Sequence, residues 1–364
     1  MPESHTAKRK LSHIHTALHK NVQSYTPTGF DDVRLIHKPL PETDRDEIDL
    51  STDLFGHKMK APLIIESMTG GTPLAAKINR TLASVAEKLG IGMGVGSQRA
   101  AIENDHLAYT FQAAREVAPS IPLFANLGCS QIVRNDGVDS AKKAVEMIKA
   151  TGLFIHLNAL QESVQFEGET NFNGALGKIS DLASALPVPV LVKETGAGIC
   201  RETAKALEQA NVKGINVSGL GGTSWAAVEY HRARTKQLKI QMELGLTFWD
   251  WGIPTVPSIV EVANSTKLKV FASGGIRNGL HIAKAIALGA HYGGLALPIL
   301  KSASSGEKTA ISHLTAVIEE LKNAMFLTGS RNLEGLRNAP LIVTGSTNQW
   351  LTQRGFDLTR FATR

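Results

Sequence analysis

Between residues 61 and 328 the sequence repeats one unit eight times, a short apolar run followed by a longer amphipathic one. The short runs are 61–68 (APLIIESM), 91–97 (IGMGVGS), 123–128 (LFANLG), 153–158 (LFIHLN), 189–194 (PVLVKE), 214–219 (GINVSG), 269–275 (KVFASGG) and 292–298 (YGGLALP). Most are apolar nearly throughout, which suits parallel strands covered on both faces. Helix patterns follow at 74–89, 104–117, 139–150, 172–185, 201–210, 257–264, 279–288 and 308–327. Eight alternations with short connections favour a closed (β/α)8 TIM barrel over an open sheet. Residues 1–60 form an N-terminal extension of the same domain, and residues 329–364 are expected to pack on the barrel. Residues 220–256 form a long insertion after the sixth strand. It carries Trp225, Phe248, Trp249 and Trp251, too apolar to be left in water, and reads as a lid or an oligomer contact.

The charge balance narrows the partners. Lys plus Arg exceed Asp plus Glu by six, but the basic residues are dispersed and no aromatic-and-basic stripe accompanies them. Nucleic acid is therefore not expected, and an anionic small molecule absorbs the surplus. The two cysteines, Cys129 and Cys200, have neither metal spacing nor a disulfide framework, and read as small buried residues in a reducing compartment. No apolar run approaches the ~18 residues of a membrane span. The N-terminus is polar and basic rather than a signal peptide, so a cytoplasmic protein without membrane contact is expected.

In such barrels function sits at the carboxyl ends of the strands. Those ends here read Ser67-Met68-Thr69-Gly70-Gly71, Ser97-Gln98-Arg99, Asn126, His156-Leu157-Asn158, Lys193-Glu194, Ser218-Gly219, Ser273-Gly274-Gly275-Ile276-Arg277 and Ala296-Leu297. The strand bodies hold almost no charge, a polarity with no structural purpose. Turns after the seventh and eighth strands form the usual phosphate site of the fold, and glycines there let backbone N–H groups approach an anion. A plain glycine turn is the simpler alternative. Lys193 reads either as paired with adjacent Glu194 or as a cation against the electron-rich edge of a cofactor ring. His156 and Asn158 share a strand face, and Gln161 and Glu162 follow them. Glu162 suits a hard cation such as Mg2+ held jointly by substrate phosphate oxygens, or is simply solvated. Near the N-terminus, Arg9 and Lys10 belong either to a disordered basic tail or to an arm that grips a diphosphate over the barrel mouth.

Several of these segments together resemble one family, the type 2 (FMN-dependent) isopentenyl-diphosphate isomerases. They are RKLSHI (9–14), SMTGG (67–71), MGVGSQR (93–99), ANLG (125–128), HLNALQE (156–162), VKETGAGI (192–199), VSGLGGTSW (217–225), FWDWGIPT (248–255), SGGIRNG (273–279) and ALPILKSA (296–303). The resemblance implies interconversion of isopentenyl and dimethylallyl diphosphate with FMN, Mg2+, a reductant such as NADPH, and a homo-oligomer, a tetramer or octamer. It implies FMN contacts at Ser67, Met68, Thr69, Ser97, Asn126, Lys193, Ser218 and Thr223. The FMN phosphate would lie against Gly274, Gly275, Ile276 and Arg277, with Ala296 and Leu297 beside it. The substrate diphosphate would meet Arg9, Lys10, Ser97, Gln98 and Arg99. Gln161 would face the allylic carbons, and Glu162 would hold Mg2+.

The implied reaction moves a proton onto an unactivated alkene, which ordinary side-chain acids protonate poorly. A reduced flavin can deliver a proton and stabilise the cation that follows. The strand ends read as lacking a strong acid–base dyad, which leaves His156, Gln161 and Lys193 to position flavin and substrate. An FMN-dependent 2-hydroxy acid oxidoreductase is the alternative, but such enzymes place a His-Gly pair after strand six, where this chain has Ser218-Gly219-Leu220-Gly221-Gly222-Thr223. A non-catalytic phosphate-binding barrel is the other.

Overall fold

A computed structural model describes residues 5–364 of the chain. Eight parallel strands close into a barrel: β1 (Leu63–Ile65), β2 (Gly92–Gly94), β3 (Leu123–Gly128), β4 (Gly152–His156), β5 (Val190–Lys193), β6 (Gly214–Asn216), β7 (Lys269–Ala272) and β8 (Tyr292–Leu295). Closure is made at β1, where Ile64 lies opposite Gly92 on one side and Gly294 on the other. Each of the eight apolar runs holds a strand. Most strands stop before their run does, because the polar residues at the carboxyl ends turn out of the ladder to line a cavity.

Helices cover the outside and follow the amphipathic pattern, with one expected helix broken and short helices added at the strand ends, Cys129–Ile132 and Ala159–Val164 among them. The stretch read as one helix over 104–117 is broken into a 3-10 turn Asp105–Leu107 and a helix Tyr109–Val117, with a separate short helix Arg99–Glu103 ahead of it. The side chain of Asn104 accepts from the His106 amide at 3.2 Å, a local bond that competes with helix continuation. A short helix, Leu297–Ser304, also stands between β8 and the long helix Glu307–Leu327. The insertion folds into two helices, Trp225–Thr235 and Lys239–Thr247. Of its four large aromatics Trp249 is buried but Trp251 is 62% exposed, so apolarity did not oblige every one of them to be covered.

The amino end of the barrel is plugged. An antiparallel hairpin, Thr52–Leu54 with His57–Met59, packs Leu54 and Met59 onto an interior cluster of Ile64, Phe124, Phe154, Leu191, Phe271 and Tyr292. Tyr292 donates from its hydroxyl to the Asp53 carbonyl at 2.6 Å. Truncating Phe124 to Ala in such packing costs about 3–5 kcal/mol. The chain's two end regions meet where Val33–Leu35 pairs antiparallel with Leu341–Val343. On the next face Arg354 donates to the buried carboxylate of Glu261 from Nε and Nη2, both at 3.0 Å. With one end plugged, a ligand can enter only at the carboxyl ends of the strands. Among the described residues, no helix is long and apolar enough to cross a membrane.

Candidate active site

The carboxyl ends of the strands converge on one cavity of about 240 Å³, roofed on one side by the helix His5–His19. Its walls include Ser67, Met68, Thr69, Ser97, Arg99, Asn126, His156, Gln161, Glu162, Lys193, Ser218 and Thr223, with Arg9 and Lys10 from the N-terminal helix. Gly274, Gly275, Ile276, Arg277, Ala296 and Leu297 complete them. Of the residues expected to bind flavin, substrate or metal, all line this space except Gln98. Gln98 is fully buried in the barrel wall, where its amide nitrogen donates to the Ala144 carbonyl at 2.8 Å and its amide oxygen accepts from the Asn126 amide at 3.0 Å. Ser97, Gln98 and Arg99 are consecutive, so they cannot all point one way. Gln98 holds two strand ends together while its neighbours look into the cavity.

The turn after β7 is shaped for an anion. Gly274 and Gly275 have φ of 93° and 73°, in the left-handed region. A Cβ on Gly274 would stand 2.1 Å from the Gly219 carbonyl oxygen, and one on Gly275 2.4 Å from that of Gly221. Only glycine lets these backbones approach so closely. Thr255 locks the turn by donating to the Gly274 carbonyl at 2.6 Å, and Arg277 donates to the Gln23 side chain at 2.8 Å. The helices Gly279–Ala287 and Leu297–Ser304 begin beside it, and their N-terminal dipoles favour a phosphate. Nearby, Ser218 is held at a φ of 37°, a strained conformation that clusters at functional sites. The Ser67 hydroxyl is buried with no hydrogen-bond partner, a donor left over for a ligand. The cradle and the orphaned hydroxyl fit a flavin mononucleotide.

On the floor, the partner of Lys193 is not the Glu194 carboxylate. Its Nζ lies 3.9 Å from Glu66 and donates to the Glu194 backbone carbonyl at 2.8 Å. The Glu194 side chain turns instead onto its own loop, accepting from the amides of Thr195 and Gly196 at 2.6 Å and of Ala197 at 2.5 Å. Burial pushes this carboxyl up to about 7, against those amide bonds. The Glu66–Lys193 pair corrects the expectation that no acid–base pair stands at the strand ends. Glu66 was missed because it immediately follows the apolar β1 and precedes the distinctive SMTGG segment.

Opposite the floor, Lys10 reaches from the N-terminal helix to donate to the Ser97 carbonyl at 2.5 Å. The segment around it is therefore an arm over the barrel mouth and not a loose tail. Burial, with help from the Arg9 charge, lowers Lys10 to about 7. Arg99 donates to Glu103 at 2.6 Å and to Glu169 at 2.7 Å. Three basic groups, Arg9, Lys10 and Arg99, thus line the cavity, a setting for a polyanion that would itself favour the charged form of Lys10.

His156 is held neutral. Burial first, and then the charges of Lys193, Lys10 and Arg9, lower it to about 3. Its Nδ1 donates to the Asn126 side-chain oxygen at 2.8 Å, which leaves Nε2 as an acceptor. Gln161 donates to Glu229 at 3.3 Å, and Glu229 also meets His13 at 2.8 Å and Arg232 at 2.5 Å. Glu229 was not singled out in the sequence, since it sits on the first helix of the insertion, far from any strand end. Trp225 of that helix lines the cavity and packs edge-on against His13, with ring centroids 5.1 Å apart. Glu162 accepts from Asn158 and from the Glu169 amide, both at 2.7 Å. No group of three metal-ligating His, Cys, Asp or Glu occurs among the described residues. Cys129 is inert, its thiol pushed up to about 11 by burial.

Comparison with known proteins agrees with this geometry. Residues 139–343 match the FMN-dependent dehydrogenase family model. The isopentenyl-diphosphate delta-isomerase of Methanothermobacter thermautotrophicus is 47% identical over 98% of this chain and 99% of its own length. That of Thermococcus kodakarensis is 48% identical over 97% of this chain and 95% of its own. Among solved structures, a flavocytochrome b2 variant with sulfite bound superposes with a TM-score of 0.68 at 19% identity, covering 95% of this chain and 88% of that one. A lactate oxidase from Pediococcus acidilactici gives 0.64 at 18% identity, covering 92% and 90%. The last two likenesses establish a shared barrel and nothing finer. At 47–48% identity over nearly the full length of this chain and of both relatives, the chain belongs to the isopentenyl-diphosphate delta-isomerase family.

Proposed function

We propose that this protein interconverts isopentenyl and dimethylallyl diphosphate by a 1,3-allylic proton shift. The observation that carries the proposal is the cavity itself, with a phosphate cradle at Gly274–Gly275 and a second cluster of basic groups, Arg9 and Lys10 from the arm and Arg99 from the end of β2. Two phosphate-bearing molecules would thereby be held with their other ends together. Bound, reduced FMN supplies the ring proton and the electron-rich surface that an unactivated alkene requires. Ser67, Met68, Thr69, Ser97, Asn126, Ser218 and Thr223 would contact it, with Lys193 at the electron-rich edge of its ring. Its phosphate would lie against Gly274, Gly275, Ile276 and Arg277, beside Ala296 and Leu297.

The substrate diphosphate falls to Arg9, Lys10, Ser97 and Arg99, and not to the side chain of Gln98. Neutral His156 accepts a hydrogen bond at Nε2 but has no proton there to give, so its role is positioning. Gln161, aligned by Glu229, faces the allylic carbons. Glu162 would help to hold Mg2+, which would offset charge on the substrate diphosphate. NADPH serves as the reductant. We also assign the protein to the cytoplasm as a tetramer or octamer. The exposed Ile240, Leu246 and Trp251 of the insertion offer an apolar contact.

The test is anaerobic incubation with FMN, NADPH, Mg2+ and isopentenyl diphosphate, followed by assay for acid-labile allylic diphosphate. Product that vanishes when reductant is omitted supports the proposal. Bound flavin without product under any condition overturns it.

A further inference from the structure

Across the floor of the cavity a network of polar groups runs from strand to strand, through Glu66, Lys193 and Ser273 at its surface and Asn216 behind them. Glu66, just past β1, is 5% exposed, and its backbone amide still bonds the Leu295 carbonyl of β8 at 3.0 Å. One carboxylate oxygen accepts from the Asn216 side-chain amide of β6 at 2.7 Å. Asn216 accepts in turn from the Ser273 hydroxyl after β7 at 2.6 Å. The other carboxylate oxygen faces Lys193 of β5 at 3.9 Å. Space for the carboxylate comes from β8, where a Cβ on Gly294 would lie 2.0 Å from it. Four strand ends and a glycine are therefore committed to holding one acid beside one base.

That arrangement changes what a ligand on the floor feels. An unpaired ammonium at this depth would present a full positive charge in a medium that screens it poorly. Burial raises the Glu66 carboxyl, while the Lys193 charge and the bonds from Asn216 and Ser273 favour its ionised form; as a carboxylate it turns the field of the ammonium into that of a dipole, weaker and faster to fall off. Charge near the ring is one means by which a protein tunes a flavin. We propose that Glu66 is a positioning residue for the flavin, whose carboxylate fixes Lys193 and damps its pull on the ring, lowering the potential of bound FMN. The inference rests on the reading that the flavin ring lies against Lys193. A flavin used to move protons needs no strong drive to accept electrons, and the damping suits that use.

The test is the midpoint potential of bound FMN, measured by dye equilibration in the wild-type holoprotein, Glu66→Gln and Lys193→Met. Glutamine keeps the size of the side chain and its bond from Asn216 while removing the charge. The expected result for Glu66→Gln is about tenfold tighter holding of reduced over oxidised flavin, a positive shift of about 30 mV for a two-electron couple. Lys193→Met is expected to shift the potential the opposite way. A shift in Lys193→Met with none in Glu66→Gln overturns the role of Glu66 and leaves the flavin placement standing. No shift in either overturns the placement and the proposal together. Should Glu66→Gln fail to retain flavin, Glu66→Asp withdraws the charge without removing it. A smaller positive shift is then expected, and an unchanged or negative one overturns the proposal.

Discussion

Binding of an organic diphosphate should take up a proton at Lys10, and its affinity should therefore fall steeply above neutral pH. In the free cavity burial lowers Lys10 to about 7. A diphosphate beside the ammonium offsets that penalty and returns the group towards its ordinary value of about 10.4. The sign follows from which state holds more protons. Below pH 7 Lys10 is already charged and affinity is full, whereas above it the complex must acquire a proton from solvent. Between pH 7 and 9 the dissociation constant should rise about 50-fold, with uptake of about 0.9 proton per site at pH 8. Titration calorimetry with a saturated alkyl diphosphate, repeated in buffers of different ionisation enthalpy, measures both quantities without turnover. Lys10→Arg should flatten the profile, because a guanidinium stays charged throughout. A wild-type constant that stays within about threefold over that range, with no proton uptake, would refute the reasoning by showing Lys10 charged before the ligand arrives.

Three further outcomes follow from the geometry. Gly274→Ala should weaken FMN binding at least about 100-fold by fluorescence titration, since a Cβ there meets the Gly219 carbonyl and the left-handed backbone alone costs about 1–2 kcal/mol; retention within threefold would mean the turn is not the cradle. Arg354→Ala should lower stability by about 2 kcal/mol or more in urea unfolding, because it strips two hydrogen bonds from buried Glu261 while Trp350 and the Arg201 amide keep theirs. Glu162→Gln should retain flavin yet raise the Mg2+ concentration needed for half-maximal product formation at least tenfold.

Much of this protein was legible as pattern. Parallel strands covered on both faces must be apolar throughout, so eight such runs announced the barrel, and charge gathering only at their carboxyl ends announced the site. The SGGIRNG turn was readable because Gly274 and Gly275 satisfy a backbone demand that no other residue meets at low cost. The pairings made across the barrel were not readable. Gln98 sits between two cavity-facing residues, and only the fold turned it into the wall. Lys193 has a carboxylate next to it in sequence but takes Glu66 from four strands away, since the neighbouring carboxylate is occupied by its own loop. Lys10 and Glu229 come from helices outside the repeat and reach the site only because the chain folds back over the barrel mouth. Periodicity records which face of an element is buried, a local property of the chain. Which charge meets which is decided by distances between residues far apart in sequence, and those exist only once the barrel has closed.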